Sequence, residues 1–409
     1  MSSQYRRVAV IGAGHAGGTL AAALRQYKFD GEIVLIGDEA HPPYQRPPLS
    51  KAWLVGDEEA RNLYLKPSSF YDSHAIRLHL EDPADSIDTA GCFVRTAKGR
   101  RVEYDALVFA TGARARLLPL PNTNVGGIAT LRDMRDAAEL KSMAAKARDI
   151  VIAGGGYIGL EAAASLVRSG ARVTVIERSA RILNRVASES ISSLLQAKHE
   201  AQGVVFLFDT TIAGIDARQS CIESVELEDG RRIACDLLLV GVGVIPNDDI
   251  ARAAGIACRE GILVDECSMT NVPGVFAIGD VAVHPASRFG VARRVESVSN
   301  AVDQAKQVAA VIAGREPPEL DTPWFWSDQY ELKVQMAGIP RTGDAVFART
   351  SAEDSGATVL HVRGDLLVGV ETVNRPRDFL LARTAINRGQ RLNVDLFGQG
   401  TQPLSAALL

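Results

Sequence analysis

The 409-residue sequence contains little cysteine, and its five cysteines lie far apart. They are Cys92, Cys221, Cys235, Cys258 and Cys267, and no two of them form a Cys-x-x-Cys motif. An odd, scattered set excludes a disulfide-stapled scaffold and gives no sign of a redox dithiol or a cysteine-ligated zinc ion. The histidines show no ligand spacing either, so we expect no metal. This cysteine usage predicts a reduced protein of the cytoplasm.

An excess of one charge and long apolar runs are also absent. The formal net charge is −4, so no overall basic field favours nucleic acid or an anionic membrane, although a local basic patch remains open. No run approaches the ~20 apolar residues of a membrane span. Arg6-Arg7, followed by apolar residues 8–24, resembles a signal peptide, but the glycines of this segment have a better explanation. The length of the chain predicts two or three domains.

The sequence does contain an internal repeat. Residues 8–24 (VAVIGAGHAGGTLAAAL) align without gaps with residues 150–166 (IVIAGGGYIGLEAAASL). Each copy has a short apolar run, a Gly-x-Gly-x-x-Gly motif and an alanine-rich stretch typical of a helix. A second apolar run follows each copy and ends at an acidic residue, Asp38 in the first and Glu177 in the second.

This pattern predicts a dinucleotide-binding unit made of a strand, a turn and a helix. The first glycine permits a tight turn, the second lets the backbone approach a pyrophosphate, and the third lets the helix pack closely on the strand. The pyrophosphate then lies at the helix N-terminus, where free N–H groups and the helix dipole favour negative charge. The acidic residue can accept hydrogen bonds from an adenosine ribose. Two such units predict an enzyme that holds one dinucleotide and exchanges another.

The two copies differ at one informative position, where Thr19 in the first becomes Glu161 in the second. A carboxylate one turn into a phosphate-binding helix does not serve the phosphate, so we expect it to point toward the nicotinamide amide. A solvated glutamate that the helix dipole favours is the alternative. The spacing alone leaves both open.

Five further segments point to one family. They are RPPLSK (46–51), VFATG (108–112), TNVPGVFAIGD (270–280), ESVSNA (296–301) and PWFWSDQY (323–330). Together with the second glycine motif, they resemble the NADH-dependent ferredoxin reductases of bacterial haem-thiolate monooxygenases and Rieske dioxygenases, the group that includes putidaredoxin reductase. The likeness covers nearly the whole chain, and PWFWSDQY is its most specific part. Rubredoxin reductase and apoptosis-inducing factor are similar more distantly.

This resemblance implies an α/β, glutathione-reductase-like flavoprotein fold with two Rossmann-like dinucleotide-binding domains and an α+β C-terminal domain. The FAD-binding domain is expected at residues 1–114 and 246–320, the NADH-binding domain at 115–245 and the C-terminal domain at 321–409. A turn-rich run after Pro246 and the proline-rich residues 314–323 agree with these boundaries.

The resemblance also implies which residues bind the two cofactors, because the first repeat of the family holds FAD and the second NADH. The matching FAD positions are Gly12, Gly14, Ala16, Gly17, Asp38, Arg46, Lys51, Ala84, Thr111, Gly112, Arg132, Asp280 and Val298. The matching NADH positions are Gly154, Gly156, Tyr157, Ile158, Gly159, Glu161, Glu177 and Gly243.

In such a family the flavin does the redox chemistry and the side chains tune it. The resemblance implies that Lys51 lies near flavin N5 and pairs with Glu161, and that Trp326 lies beside the isoalloxazine, so these three are the candidate catalytic residues. A solvated lysine and a core tryptophan are the plainer alternatives, and for Trp324 the core is preferred. Residues 38–51 lack the cysteine that related disulfide reductases and peroxidases use, so electrons are expected to pass directly to another carrier.

The expected acceptor is a [2Fe-2S] ferredoxin, with rubredoxin reduction or a signalling role like that of apoptosis-inducing factor as alternatives. Candidates for a basic docking patch are Lys306, Arg288, Arg293 and Arg294, and a solvated helix face is the plainer interpretation. Glu177 predicts a preference for NADH, because a carboxylate at that position repels the 2′-phosphate of NADPH. Arg178 and Arg181 weaken that prediction.

Overall fold

The structure, a computed structural model, describes residues 4–56, 59–285, 290–351, 355–398 and 402–409. The chain divides into two compact units. The first unit comprises Met1–Arg46, Glu59–Arg114 and Ile245–Pro323, and the second comprises Pro47–Glu58, Ala115–Val244 and Trp324–Leu409. The expected three-domain boundaries stay a prediction. Among the residues described, no helix is long and apolar enough to cross a membrane.

The strands are β1 (Arg7–Ile11), β2 (Glu32–Ile36), β3 (Ile76–His79), β4 (Ala84–Asp88), β5 (Phe93–Thr96), β6 (Arg101–Glu103), β7 (Ala106–Phe109), β8 (Ala113–Ala115), β9 (Ile128–Ala129), β10 (Asp149–Ala153), β11 (Arg172–Ile176), β12 (Val205–Leu207), β13 (Ile212–Arg218), β14 (Cys221–Leu227), β15 (Arg232–Ala234), β16 (Leu237–Val240), β17 (Val244–Pro246), β18 (Ile262–Leu263), β19 (Val275–Ala277), β20 (Ala282–His284), β21 (Arg293–Arg294), β22 (Trp324–Gln329), β23 (Leu332–Gly338), β24 (Ala345–Ser351), β25 (Gly356–Arg363) and β26 (Leu366–Val373).

The α-helices are α1 (His15–Gln26), α2 (Ala52–Val55), α3 (Ser68–Ser73), α4 (Met134–Ala144), α5 (Tyr157–Leu166), α6 (Glu189–Ala201), α7 (Asp249–Ala253), α8 (Val298–Ile312), α9 (Pro376–Asn387), α10 (Val394–Gly398) and α11 (Leu404–Ala407). Short 3₁₀ helices occupy Pro47–Ser50, Ala60–Leu63, Val167–Ser169 and Gly279–Val281.

The first unit is built on a parallel sheet of order β19-β7-β1-β2-β3. β7 is buried along its whole length and β1 along four of its five residues, as expected for a parallel strand covered on both faces. Helices α1 and α8 contribute their buried faces to the core on one side of this sheet. Smaller sheets, β4-β5-β6 and β18-β20-β21, complete the unit.

The second unit repeats this arrangement. Its parallel sheet has the order β12-β11-β10-β16-β9, so the strand that precedes each glycine motif lies in the middle of its own sheet. Each turn is closed by an equivalent hydrogen bond of 2.8 Å, from the amide of Gly12 to the carbonyl of Ile36 and from that of Gly154 to that of Ile176. The structure therefore confirms that the sequence repeat is a repeat of fold.

The remainder of the second unit contains an antiparallel sheet of order β22-β23-β26-β25-β24. Helix α9 packs on this sheet through Phe379, Ala382 and Ala385, which join its hydrophobic core. The α+β character expected for the C-terminal part is therefore present.

Candidate functional site

The first glycine turn has the geometry of a phosphate cradle. Gly12 has a φ of +115°, and a Cβ atom there would lie 2.1 Å from the carbonyl oxygen of Ala110. A Cβ at Gly17 would lie 2.0 Å from the carbonyl oxygen of Gly12, so the start of α1 packs directly on the turn. Gly14 caps α1 without a side-chain acceptor and faces open space. These features fit the pyrophosphate of a dinucleotide at the helix N-terminus.

Two other loops of the first unit are held close to this turn or to its strand. A Cβ at Gly279 would lie 3.2 Å from the Cβ of Ala16, so the turn that carries Asp280 packs against the start of α1. Following β7, Thr111 Oγ1 donates to the carbonyl of Asn247 at 2.7 Å, and Asn247 Nδ2 donates back to the Thr111 carbonyl at 2.9 Å. Asn247 also donates its backbone N–H to Gly112 at 3.0 Å. Sequence reasoning did not identify Asn247 as a residue of this site.

His15, inside the first glycine motif, has a ring nitrogen that lacks a hydrogen-bond partner in the described part of the protein. Its Nδ1 is buried and makes no hydrogen bond to any described residue. Burial lowers the pKa of His15, the charge of Asp280 opposes this shift and that of Arg46 adds to it. An orphaned nitrogen beside a phosphate cradle fits a bound polar group such as FAD.

The acidic end of β2 contains two carboxylates with different surroundings. Asp38 is exposed, which leaves it accessible to a ribose. Its neighbour Glu39, which the sequence interpretation passed over, lies 2.6 Å from Arg46 Nη2 and accepts from Tyr44 Oη at 2.5 Å. Glu39 therefore anchors the guanidinium of a predicted FAD-binding residue.

The structure places the other predicted FAD positions as follows. Ala84 begins β4 and pairs with Thr96, and Val298 begins α8. Arg132 and Lys51 belong to the second unit, where the backbone N–H of Arg132 donates to Asp136 Oδ2 at 2.9 Å.

The second glycine turn repeats the geometry of the first. Gly154 has a φ of +104°, and a Cβ there would lie 2.5 Å from the carbonyl oxygen of Gly241. A Cβ at Gly159 would lie 2.3 Å from the carbonyl oxygen of Gly154, whereas Gly156 and Gly243 face open space. Ile158, in the first turn of α5, is exposed.

Glu177 is fixed beside this second turn. Its Oε2 accepts from the backbone N–H of Gly155 and its Oε1 from that of Ser179, both at 2.8 Å. Arg181, which could have attracted a 2′-phosphate, instead donates to the Ser192 hydroxyl at 2.5 Å and to three backbone carbonyls. Of the two arginines that weaken the predicted NADH preference, the exposed Arg178 is therefore the one that could still attract a 2′-phosphate.

Tyr157, the first residue of α5, has its hydroxyl engaged inside the second unit. Tyr157 Oη lies 2.9 Å from Met336 Sδ, and its ring centroid lies 4.6 Å from that of Phe325. Burial, with the charges of Glu371 and Glu161, raises its pKa well above the usual value. The phenol therefore stays protonated.

Glu161 is the centre of a compact polar cluster in the second unit. Its side chain is 3% exposed, and Oε2 lies 2.7 Å from Lys51 Nζ. Ser50 Oγ donates to the same oxygen at 2.5 Å, and Ser327 Oγ donates to Oε1 at 2.6 Å. Ser165, one turn further along α5, donates to the Ser50 carbonyl at 2.8 Å and so holds the 47–51 segment in place. The carboxylate therefore does not face solvent.

Sequence reasoning missed Ser50 and Ser327 as members of this cluster. Both lie inside segments that carried the family resemblance, RPPLSK and PWFWSDQY, so the signal was present. A hydroxyl within a motif does not reveal its partner, however, because Ser327 lies 166 positions from Glu161 in the chain.

The two tryptophans of the PWFWSDQY segment differ in their packing. Trp324 packs on the hydrophobic core of the C-terminal sheet, and its ring centroid lies 5.8 Å from that of Phe379. Trp326 is half-buried and 5.4 Å from Trp324 between ring centroids. It belongs to none of the hydrophobic clusters found among the described residues.

The docking candidates are not equally available. Lys306 is exposed on α8 and Arg293 is half-buried on β21. Arg294 is 18% exposed, pairs with Glu296 at 2.6 Å and donates to the Asp280 carbonyl at 3.1 Å. Arg288 lies outside the described residues. Within the described part of the chain, no group of His, Cys, Asp and Glu side chains could hold a metal ion.

Comparison with known proteins identifies relatives that share both the sequence and the fold. Residues 6–305 match the family model of pyridine nucleotide-disulphide oxidoreductases, and residues 324–408 match that of the reductase C-terminal domain. A probable ferredoxin reductase, CtmF, from Castellaniella defragrans is 42% identical over 93% of this chain and 94% of its own.

Two solved structures are similar over nearly the whole chain. The ferredoxin reductase for the CYP199A2 system from Rhodopseudomonas palustris is 40% identical with a TM-score of 0.89, over 92% of this chain and 93% of its own. The covalent putidaredoxin reductase–putidaredoxin complex gives 34% identity and a TM-score of 0.94, over 98% of this chain and 97% of the matched chain. The resemblance and the fold class inferred from the motifs are confirmed.

Proposed function

The chain belongs to the pyridine nucleotide-disulphide oxidoreductase family, and we propose on that premise that it is an FAD-dependent reductase passing electrons from NADH to a [2Fe-2S] ferredoxin. The ferredoxin would serve a haem-thiolate monooxygenase or a Rieske dioxygenase. The observation that carries the proposal is the pair of equivalent glycine cradles, one in each unit, in a chain without a redox cysteine pair. All five cysteines are free thiols, and none lies between Asp38 and Lys51.

The two cradles have separate tasks in this proposal. The turn at Gly12, Gly14 and Gly17, with Asp38 at the end of β2, would hold FAD, and the turn at Gly154, Gly156 and Gly159 would hold NADH. When bound, FAD accepts a hydride from a nicotinamide and releases its electrons one at a time. That chemistry matches a two-electron donor to a one-electron carrier.

Glu161 and Lys51 are proposed to orient the nicotinamide. Glu161 lies one turn into the helix that begins at the NADH cradle, where its carboxylate can accept from the carboxamide N–H₂ group. Lys51 and the hydroxyls of Ser50 and Ser327 keep the carboxylate in one orientation. A carboxylate that is already in place lowers the activation barrier of hydride transfer, because the surrounding polar groups need not reorganise as the nicotinamide changes its charge.

Glu177 is proposed to select NADH by accepting from the adenosine ribose. Its two backbone hydrogen bonds fix the carboxylate beside the glycine turn. A fixed negative charge repels the extra phosphate of NADPH. The engagement of Arg181 inside the protein supports this preference.

The proposed partner is an acidic ferredoxin that meets a local basic patch at Lys306 and Arg293, because the protein as a whole is net negative. Arg294 is proposed to support the patch only indirectly, since Glu296 neutralises it. Complementary patches act mainly on the encounter rate. The free thiols favour a cytoplasmic location, which we include in the proposal.

A side-by-side assay of purified acceptors tests this function. The FAD-loaded protein is mixed with NADH and either a [2Fe-2S] ferredoxin or a rubredoxin, and the initial rates are compared. The proposal expects ferredoxin to be reduced much faster. Faster reduction of rubredoxin would reassign the acceptor, and reduction of neither would favour a non-catalytic flavoprotein.

The docking patch is tested by ionic strength and charge reversal. The ferredoxin rate should fall as salt rises, because screening shortens the reach of surface charge to about 8 Å near physiological salt. Lys306→Glu should raise the Michaelis constant for ferredoxin and spare the reduction of ferricyanide. A salt-independent ferredoxin rate, or an equal loss with both acceptors, would place docking elsewhere.

A further inference from the structure

A chain of buried hydrogen bonds runs from Glu161 to Tyr330, the residue that follows β22. Ser327 Oγ lies 2.6 Å from Glu161 Oε1, and Gln329 Nε2 lies 3.1 Å from Ser327 Oγ. Gln329 Oε1 lies 2.9 Å from His199 Nε2, and His199 Nδ1 lies 3.0 Å from Tyr330 Oη. The chain links α5, β22 and α6, all within the second unit.

Four of the five side chains are closed off from solvent. Ser327 and His199 are 0% exposed, Gln329 is 1% exposed and Glu161 is 3% exposed, whereas Tyr330 is half-buried. A buried polar group without a partner destabilises the fold, because it loses its hydrogen bonds to water and gains none in return. Each of these four side chains must therefore find its donor or acceptor within the protein.

The chemistry of the groups fixes one direction for all four hydrogen bonds. Glu161 pairs with Lys51 as a carboxylate and can only accept, so Ser327 must donate to it. The only hydrogen of the Ser327 hydroxyl is then used in this bond, so its oxygen must accept the hydrogen bond from the Gln329 N–H₂ group. The Gln329 carbonyl consequently faces His199, whose hydrogen must be on Nε2.

The far end of the chain agrees with this direction. Burial lowers the pKa of His199, so the ring is neutral and its Nδ1 can accept. Burial also raises the pKa of Tyr330 to about 12, so its hydroxyl keeps the proton that it donates. Every donor in the chain therefore points toward Glu161.

We propose that His199 is a positioning residue for hydride transfer, which acts through Gln329 and Ser327 to hold Oε1 of Glu161. This inference rests on the proposed function of Glu161. With His199 in its Nε2–H tautomer, the Gln329 amide has a single satisfied orientation. Without that donor the amide can turn over and present its oxygen to Ser327, which then donates to Gln329 and leaves Glu161 with one hydrogen bond fewer.

Two substitutions of similar size separate this role from simple packing. Glutamine at position 199 can place its Nε2 where the histidine Nε2 lies, whereas asparagine is too short to reach Gln329. We expect His199→Asn to slow flavin reduction at saturating NADH by about five- to tenfold, the effect of one lost hydrogen bond. His199→Gln should stay within about twofold of the wild type, and the dissociation constant for NADH should change little in either.

Thr358→Val is the matched control. Thr358 is 2% exposed and lies in the same sheet as Gln329, and its hydroxyl donates to Asp378 at 2.7 Å outside the chain. Its loss should cost stability and leave the reduction rate unchanged. Equal slowing by Thr358→Val and His199→Asn would show that general loosening of the sheet explains the effect.

A double-mutant cycle tests the route of the effect. Ser327→Ala removes the last donor, so His199→Asn should cause no further slowing in that background. If the double variant is slowed by the product of the two single effects, the inference is overturned. A wild-type rate in His199→Asn alone would overturn it as well.

The tautomer of His199 provides a readout that does not depend on catalysis. In protein with ¹⁵N-labelled histidine, two-bond nitrogen–proton correlations at neutral pH should show hydrogen on Nε2 alone, and Tyr330→Phe should weaken that preference. A hydrogen on Nδ1, or a charged ring, would refute the inferred direction of these hydrogen bonds even if NADH reduces the flavin normally. If NADH reduces no flavin in the wild type, the proposed function fails separately.

Discussion

We expect Glu161→Gln to slow hydride transfer from NADH strongly while leaving the protein folded and FAD bound. The substitution keeps the volume of the side chain and removes its charge. It therefore removes the counter-ion of Lys51, which lies 2.7 Å away, without leaving a cavity. The hydroxyls of Ser50 and Ser327 can still form hydrogen bonds with the new amide, so the main interaction lost is that of the negative charge with its partners.

The structure sets the size of the expected effect. A hydrogen bond to a charged group contributes about 1.5–3 kcal/mol, and each 1.36 kcal/mol changes a rate about tenfold. Loss of one such interaction in the transition state corresponds to about a ten- to 150-fold slower flavin reduction. Stability should fall by about 3 kcal/mol, the lower end for a broken buried ion pair, because Lys51 keeps 20% of its side chain exposed.

The assay is anaerobic stopped-flow mixing of the FAD-loaded protein with saturating NADH, followed by flavin absorbance. Asp344→Asn is the matched control, since Asp344 is a buried carboxylate paired with Arg363 at 2.8 Å in the same unit and has no contact with Lys51. Asp344→Asn should lose stability and keep its reduction rate. Flavin reduction by Glu161→Gln at the wild-type rate would refute the role assigned to this carboxylate.

Three further predictions concern the cradles and the buried histidine. Gly14→Ala should fold normally and bind FAD weakly, because its Cβ would enter the open space beside the phosphate cradle. Gly12→Ala should instead destabilise the protein itself, because its backbone has a φ of +115°. Equal FAD dissociation constants for Gly14→Ala and the wild type would count against the cradle. The specificity constant for NADH should exceed that for NADPH, and Glu177→Ala should narrow the difference; comparable constants in the wild type would contradict the ribose role. Burial lowers the pKa of His199 from 6.5 in the folded protein, so just below about pH 6.5 the unfolded chain binds a proton at this ring and the folded protein does not. The contribution of the neutral ring to stability is therefore complete above about pH 6.5 and is lost as the pH falls toward the lowered pKa. The free energy of unfolding of His199→Gln, measured with denaturant, should fall less on acidification than that of the wild type, and an equal fall in both proteins would be the contrary result.

Much of the fold was predictable because the glycine motifs encode backbone requirements directly. A φ of +115° at Gly12 and +104° at Gly154 is tolerated only by glycine, and the close contacts of Gly17 and Gly159 exclude any side chain. Such constraints appear in the sequence as fixed spacings. The strand, the turn and the helix that the sequence predicts around each motif follow from these spacings, and all three are present at β1 and α1 and again at β10 and α5.

Other parts of the site were not predictable, because they depend on contacts between distant segments. Nothing near His199 indicates that it lies 2.9 Å from Gln329, which is 130 positions away. Asn247 holds Thr111 across 136 positions in the same way. For Glu161, the spacing allowed a side chain that points toward the nicotinamide or one that is solvated, and only the fold shows that it is buried. Hydrogen bonds of this kind leave no periodic pattern to read.

The most direct test of the account is the stoichiometry of electron transfer. A limiting amount of NADH is added without oxygen to a catalytic amount of the FAD-loaded protein and an excess of oxidised [2Fe-2S] ferredoxin, and both absorbance changes are followed to completion. Because NADH carries two electrons and each cluster accepts one, we expect two ferredoxins to be reduced for every NADH consumed. Consumption of NADH that leaves the ferredoxin oxidised would contradict it.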